Sequence, residues 1–176
     1  MITAVSQTLA EILAGGSSLI GTKQIDFDHP RVERCRGPRL NLYCYDLREN
    51  KPMQHSGQGR EATPNDNGFT LWFDVSFLVT AWDFTALGEQ RLLSEALVLL
   101  LHHRSLPEEI LAPELRGHGT LPLRVFASGL MYTAVFWSAL GIPMRPALYV
   151  TVTVPLDLQG EPTIPKKKML LTHPIK

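Results

Sequence analysis

Leu71-Trp72-Phe73-Asp74-Val75-Ser76-Phe77-Leu78-Val79-Thr80-Ala81-Trp82 decides the fold. Leu71, Phe73, Val75, Phe77, Val79 and Ala81 recur every second residue, and all are apolar. A period of two with one wholly apolar face predicts a strand laid on a core. The opposite face mixes Trp72, Asp74, Ser76, Thr80 and Trp82. That face is neither plainly solvent nor plainly core, and suits a sheet that meets a helix or a neighbouring subunit. A second strand-like run, Leu40 to Asn50, precedes it. Between the two lies Asn50 to Gly68, rich in glycine, proline and asparagine and without an apolar run. A connection of that length inside a compact domain is a partner-contacting loop or a tolerated insertion.

Working outward, residues 2 to 14 place Ile2, Val5, Leu9, Ile12 and Leu13 on one helical stripe, with Gly15-Gly16 expected to stop the helix through left-handed conformations. Lys23 to Phe27 reads as a short strand closed by Asp28-His29-Pro30. Gly88 to His103 reads as a helix burying Leu92, Leu93, Ala96, Leu97 and Leu100, with histidines in its last turn opposing the negative end of the macrodipole. Leu121 to Ala127 reads as a strand, Gly129 to Leu140 as a helix ended by Gly141 and Pro143, and Pro146 to Val154 as the last strand. In that strand Leu148, Val150, Val152 and Val154 are assigned to the core and Tyr149, Thr151 and Thr153 outward. The expectation is therefore one α+β domain over residues 1–154, a mixed, mainly antiparallel sheet of about four strands packed with helices. Residues 155–176 follow as an extended C-terminal tail carrying four prolines, Lys166-Lys167-Lys168 and Met169-Leu170-Leu171.

The totals narrow the function. The 176 residues suit one domain of ordinary size, and 17 basic against 17 acidic residues leave a formal net charge of zero. Nucleic-acid binders carry a basic excess, so DNA or RNA is not an expected partner. Near-zero charge resists self-association weakly, which suits a subunit inside an assembly. Two cysteines, Cys35 and Cys44, form no zinc spacing and fit a reduced, cytoplasmic setting. No signal peptide opens the chain. The charge-free stretch between Arg124 and Arg145 is long enough to span a bilayer, but Ser128-Gly129 and Gly141-Ile142-Pro143 divide it into strand, turn and buried helix.

No phosphate loop, dinucleotide fingerprint or nucleophile elbow is present. The six histidines show no i, i+4 pair of the kind a helical zinc site needs. Asp26, Asp28 and His29 are read as a satisfied turn rather than a cation site. Cys35 sits between Arg34 and Arg36, which lower a thiol pKa, but a catalytic cysteine also needs a base and an orienting partner. Trp72, Trp82 and Trp137 are a conceivable ligand cage, although core or interface packing is the commoner use of tryptophan. No catalytic, cofactor-binding or metal residue is assigned. An enzyme with a site around Asp74 and the histidines, and a chaperone-like partner-binding module, stay open as alternatives.

In order and spacing the segments resemble a known family: Val5 to Leu9, Pro38 to Asn50, Trp72 to Trp82, Leu92 to Leu97, Phe136 to Leu148 and Val152 to Leu158. The family is the N-terminal domain of the cap, or tail-terminator, proteins of phage-tail-like contractile injection systems. The resemblance implies a phage tail-terminator-like fold and a structural role. It implies a hexameric ring at the end distal to the baseplate, ending the inner tube and contacting the terminal sheath layer, within a particle assembled in the bacterial cytoplasm. The implied partners are further copies of the chain, the inner tube protein, the sheath protein and a separate cap protein, with no nucleic acid and no membrane span. Longer relatives carry a further C-terminal domain, so this chain fits an adaptor on tube and sheath better than a full closing cap. Met169, Leu170 and Leu171 in the tail, and Asn65 and Asn67 in the long loop, are the expected partner-binding residues.

Overall fold

The computed structural model describes residues 1–30, 37–51, 69–126 and 130–158, with backbone alone at 69, 130–132 and 158. Its centre is a six-stranded sheet in the order β1-β2-β3-β6-β5-β4. The strands are β1 (Ile25–Asp26), β2 (Arg39–Glu49), β3 (Phe69–Trp82), β4 (Ser105–Leu106), β5 (Leu121–Phe126) and β6 (Leu148–Leu158). Every pairing is antiparallel except β1 with β2. The four long strands are the ones expected from the sequence; β1 lies within the short strand read at Lys23 to Phe27, β4 was not expected, and each brings two residues to an edge. Edge strands this short leave little template for pairing with other chains.

β3 holds the sheet together. It pairs along nearly its whole length with β2 on one side and β6 on the other. Its apolar face works as the alternation requires: Val75, Phe77, Val79 and Ala81 are buried and share the core with Leu40 and Leu42 of β2, Leu121 and Leu123 of β5, and Val150, Val152 and Val154 of β6. Two helices cover that face, α1 (Ile2–Gly16) and α2 (Ala86–His102). α1 contributes Val5, Leu9, Ile12 and Leu13, and α2 contributes Leu92, Leu93, Ala96 and Leu100. Leu97, expected in the core, is only half-buried.

Helix ends differ from expectation in instructive ways. α2 starts two residues early because Thr85 caps it, its Oγ1 accepting the Gly88 amide at 3.0 Å. Gly15 and Gly16 do not adopt left-handed backbone; both are helical, and extended Ser17 ends α1. Gly16 serves packing instead: a Cβ there would collide with the Leu99 side chain of α2. The backbone amides of Leu19 and Ile20 donate to Ser17 Oγ, turning the chain away. A third helix, α3 (Leu130–Leu140), ends as read, with Gly141 at φ +68° donating its amide to Ser138. No helix among the described residues is long and apolar enough to cross a membrane.

β2 carries a bulge. Cys44 pairs with Phe77, yet Asp46, not Tyr45, faces Ser76. Without the extra residue, strict alternation would turn Asp46 and Arg48 into the core and Leu47 out of it. The bulge reverses this: Leu47 faces Val75, while Asp46 and Arg48 lie on the opposite face beside Ser76 and Asp74. Burial pushes both the Cys44 thiol and the Tyr45 phenol above their ordinary 9.0 and 10.0; a hydrogen bond that the Tyr45 oxygen accepts from Ser76 partly offsets the second. Cys44 is thus a small, half-buried packing residue, as its strand position predicts.

β6 extends beyond its expected end. Pro155 to Leu158 continue the ladder with β3, Pro155 lying opposite Trp72. The carbonyl of Trp72 accepts the Asn50 amide at 2.7 Å on the β2 side, so its own amide also points to β2. The Trp72–Pro155 pair therefore exchanges no hydrogen bonds, and a proline fits there without loss. The Cys35 environment, the Ser128 cap and the residues after 158 lie outside the described residues.

Two expectations follow. Phe77→Ala, which empties a fully buried site, will destabilise the fold by about 3–5 kcal/mol, read as a lower chemical-denaturation midpoint. Because folding raises the Cys44 and Tyr45 pKa values, their contribution is complete below pH 9.0 and is lost as pH rises through the folded values. The thermal midpoint of the wild type will fall more steeply above that pH than that of a Cys44→Ala, Tyr45→Phe variant; equal slopes would contradict the assignment.

Candidate interaction surface

The second sheet face, ambiguous in sequence, is built from three kinds of row. At one end Leu78 of β3 stands between Tyr43 of β2 and Tyr149 of β6. α3 seals this row with Trp137, whose Nε1–H donates to the Tyr149 hydroxyl at 2.9 Å. Phe136 adds ring contacts to Tyr45 and Tyr149. These residues form a small second core, separate from the main one. Tyr149, Thr151 and Thr153, read as outward-facing, do point to this face but are buried on it. Burying their hydroxyls requires partners.

The middle rows supply those partners. The Ser76 and Thr151 hydroxyls share a hydrogen bond at 3.0 Å. Next to them Asp74 accepts from three groups: Thr153 Oγ1 at 2.6 Å, Arg124 Nη2 at 2.8 Å and Asn50 Nδ2 at 2.9 Å. One carboxylate thereby joins β3, β5, β6 and the end of β2. Arg48 pairs with Asp46 on the same face. Asp74 has its acceptor sites engaged by these donors and has no histidine among its hydrogen-bond partners. At the far end Trp72 makes an edge contact with His118, and His118 Nε2 lies 3.0 Å from Asp157.

Other candidates separate in space. Trp72 and Trp82 stand near opposite ends of β3, about 33 Å apart by strand rise, and Trp137 lies on α3, so the three form no cage. The Arg145 guanidinium lies 3.5 Å above the Trp82 ring and pairs with Glu89 at 2.7 Å. Asp26 takes Arg39 at 2.7 Å, the Asp28 carbonyl accepts Asn41 Nδ2, and His29 packs on Tyr43, so the two aspartates are satisfied as expected, whereas the buried His29 Nδ1 has no hydrogen-bond partner among the described residues. No group of three or more His, Cys, Asp or Glu side chains that could hold a metal occurs among the described residues.

What remains open is apolar. α3 carries no charged residue, and while its inner side is buried, Ala134, Val135, Ser138 and Ala139 face outward, Val135 at 72% exposure. A helix uncharged on every side is normally covered on every side. α2 repeats the pattern: Leu87, Val98 and Leu101 form an exposed stripe, interrupted by Arg91 and Ser94, diametrically opposite its core stripe. Phe84 and Met144 are 73% and 62% exposed. Neither outward stripe was assigned from the sequence. The signal was the charge-free run from Val125 to Met144, but which third of α3 faces out depends on where the helix lands. Met169, Leu170, Leu171, Asn65 and Asn67 lie outside the described residues.

With this geometry the comparisons agree. Residues 3–168 match the Pvc16 N-terminal domain family. Among solved structures, the sheath/tube terminator of an extracellular contractile injection system, PVC, in its extended state is similar over 91% of this chain at 18% identity, with a TM-score of 0.65. The tube terminating cap of the anti-feeding prophage is similar over 98% at 18% identity, with a TM-score of 0.60. The chain spans 57% and 59% of the length of those two proteins. No curated protein matches in sequence. A mainly antiparallel sheet closed by helices on both faces, with the terminator-like order of elements and a match over nearly its whole length, makes this chain a member of the Pvc16 N-terminal domain family.

Proposed function

We propose that the protein is a structural subunit of a contractile injection system, forming a closed ring at the end of the particle distal to the baseplate. There it ends the inner tube and contacts the terminal sheath layer. The observation that carries this reading is the family membership over residues 3–168, joined to a fold shared with a sheath/tube terminator and a tube terminating cap. The physical features support it. Asp74, Ser76, Arg124, Thr151 and Thr153 on the second face are spent on one another, which makes a stiff scaffold. The formal charge of zero permits close self-association.

A head-to-tail ring needs two different patches per subunit that meet across each contact. The outward sides of α3 and α2 are two such patches, and we assign them to the contact between copies. Six copies close the ring. The inner tube protein, the sheath protein and a separate cap protein are the other partners, and the particle assembles in the bacterial cytoplasm. The chain acts as an adaptor domain, expected over residues 1–154 and extended by the end of β6 to residue 158, with the rest of the 155–176 segment as a docking tail; Asn65 and Asn67 in the long loop add contacts to the tube.

Imaging of purified particles tests the assignment: density for this chain is expected as a ring at the distal end, and particles complete at that end without it would overturn the reading. Val135→Glu places a charge on the outward side of α3. It should leave the thermal midpoint within about 0.5 kcal/mol-equivalent of wild type, as for ordinary surface changes, while abolishing the ring. Unchanged ring occupancy would remove α3 from the contact. Truncation after Leu158 should lower the fraction of particles with intact ends; particles capped as well as with the full chain would show that Met169, Leu170 and Leu171 are not a docking element.

A further inference from the structure

A cavity of about 510 Å³ opens where the C-terminal ends of α1 and α2 meet the 108–116 loop. Ile12, Leu99, Ile110 and Leu111 give it an apolar lining. Its wall is well anchored: buried Thr8 of α1 accepts the Ala112 amide at 3.0 Å, and Arg116 Nε donates to the Leu111 carbonyl at 3.0 Å. Around the lining, exposed Glu11 and Glu109 supply negative charge. Gly15 has open space beside it, Gly16 packs on Leu99, and α1 has no basic residue in its last turn. Two helix ends therefore direct the negative poles of their dipoles here, and the one on α1 is uncompensated. Arg116 and His103 also line the site; Arg116 Nε is held on the Leu111 carbonyl, and its single cation leaves the two carboxylates of Glu11 and Glu109 in excess. The surface asks for a ligand with cations at one end and apolar side chains at the other.

This chain carries such a segment. Lys166-Lys167-Lys168 runs directly into Met169-Leu170-Leu171, three cations followed by three apolar residues. The described chain also leaves the sheet beside the cavity. Asp157, next to its end, lies 3.0 Å from His118; two residues before His118 is Arg116 of the cavity wall, and the Gly117 amide between them donates to Glu108 at 2.6 Å. Two residues cover at most about 7 Å, and the stretch from Asp157 to Lys166 reaches about 30 Å when extended. The segment can reach the cavity of its own chain with length to spare.

We propose that residues 166–171 dock into this cavity of the same chain in the free subunit, the lysines at Glu11, Glu109 and the α1 carbonyls, and Met169, Leu170 and Leu171 on the apolar lining. The docking covers the tail's only apolar cluster until an assembly partner takes it. It does not depend on the ring reading, since cavity and segment belong to one chain.

Carbodiimide coupling of the full-length wild-type chain, followed by mass spectrometry, tests it, because the reagent joins carboxylates to lysine amines only in contact. The expected result is amide links from Glu11 or Glu109 to Lys166, Lys167 or Lys168 in the band of monomer mass, falling as salt screens the pairing. Leu170→Ser with Leu171→Ser should cut the yield by roughly tenfold. Because both positions lie in the tail, circular dichroism should show an unchanged fold. Links found only in the band of dimer mass would place the tail on another copy and overturn the proposal. So would links from those lysines to other carboxylates alone, or none at all.

Discussion

β3 is a fourteen-residue strand hydrogen-bonded on both edges and buried along most of both its faces, and the structure depends on how those two faces are covered. Burial of its apolar face against α1 and α2 supplies the main driving force, with fully buried Phe77, Val75 and Val79 each contributing on the order of 1.5–3 kcal/mol by transfer from water. Its other face cannot be settled in the same way, because Asp74, Ser76 and Thr80 would lose hydration on burial without replacement. The rest of the architecture answers that problem for Asp74 and Ser76, while the buried Thr80 hydroxyl, and Oδ1 of Asn41 opposite it, stay without a partner among the described residues. α3 covers the row that can be made apolar, and β5 and β6 bring Arg124, Thr151 and Thr153 to the rows that cannot.

That division bears on function. Most of the charges and hydroxyls on that face are paired with one another, the buried Thr80 Oγ1 excepted, and their ties across four strands resist deformation. The free energy available for association lies instead in apolar surface turned outward on α2 and α3. These are regular, rigid elements, so little ordering entropy is lost when they are covered.

Short edges complete the picture. β1 and β4 bring only two residues each to the sheet, and the bulge at Tyr45 twists β2 where no described strand lies beside it.

The sequence by itself determined the long strands, because a period of two runs through β3 and β6; Val75, Phe77, Val79 and Ala81, with Val150, Val152 and Val154, proved to be core, while Leu71, Phe73 and Leu148, nearer the strand ends, are only half-buried. It determined the extent of α1 and α3 nearly to the residue, since Gly141 needs a positive φ and so marks its helix end. The same reading made the terminator-like order of elements visible and, with it, the family. Four features were decided by tertiary structure. The bulge in β2 depends on which partner residues the strand meets, and Tyr45-Asp46 reads locally as a mere lapse in alternation. Gly16 was taken for a turn residue, yet its reason for being glycine is Leu99 on another helix. The burial of Tyr149, Thr151 and Thr153 required knowing that hydroxyls and a carboxylate from distant strands would meet them. The outward sides of α2 and α3 emerged only when packing chose one stripe of each to bury. Periodicity is a local property of the chain, whereas hydrogen-bond satisfaction and the choice between two apolar stripes are properties of what lies across the gap.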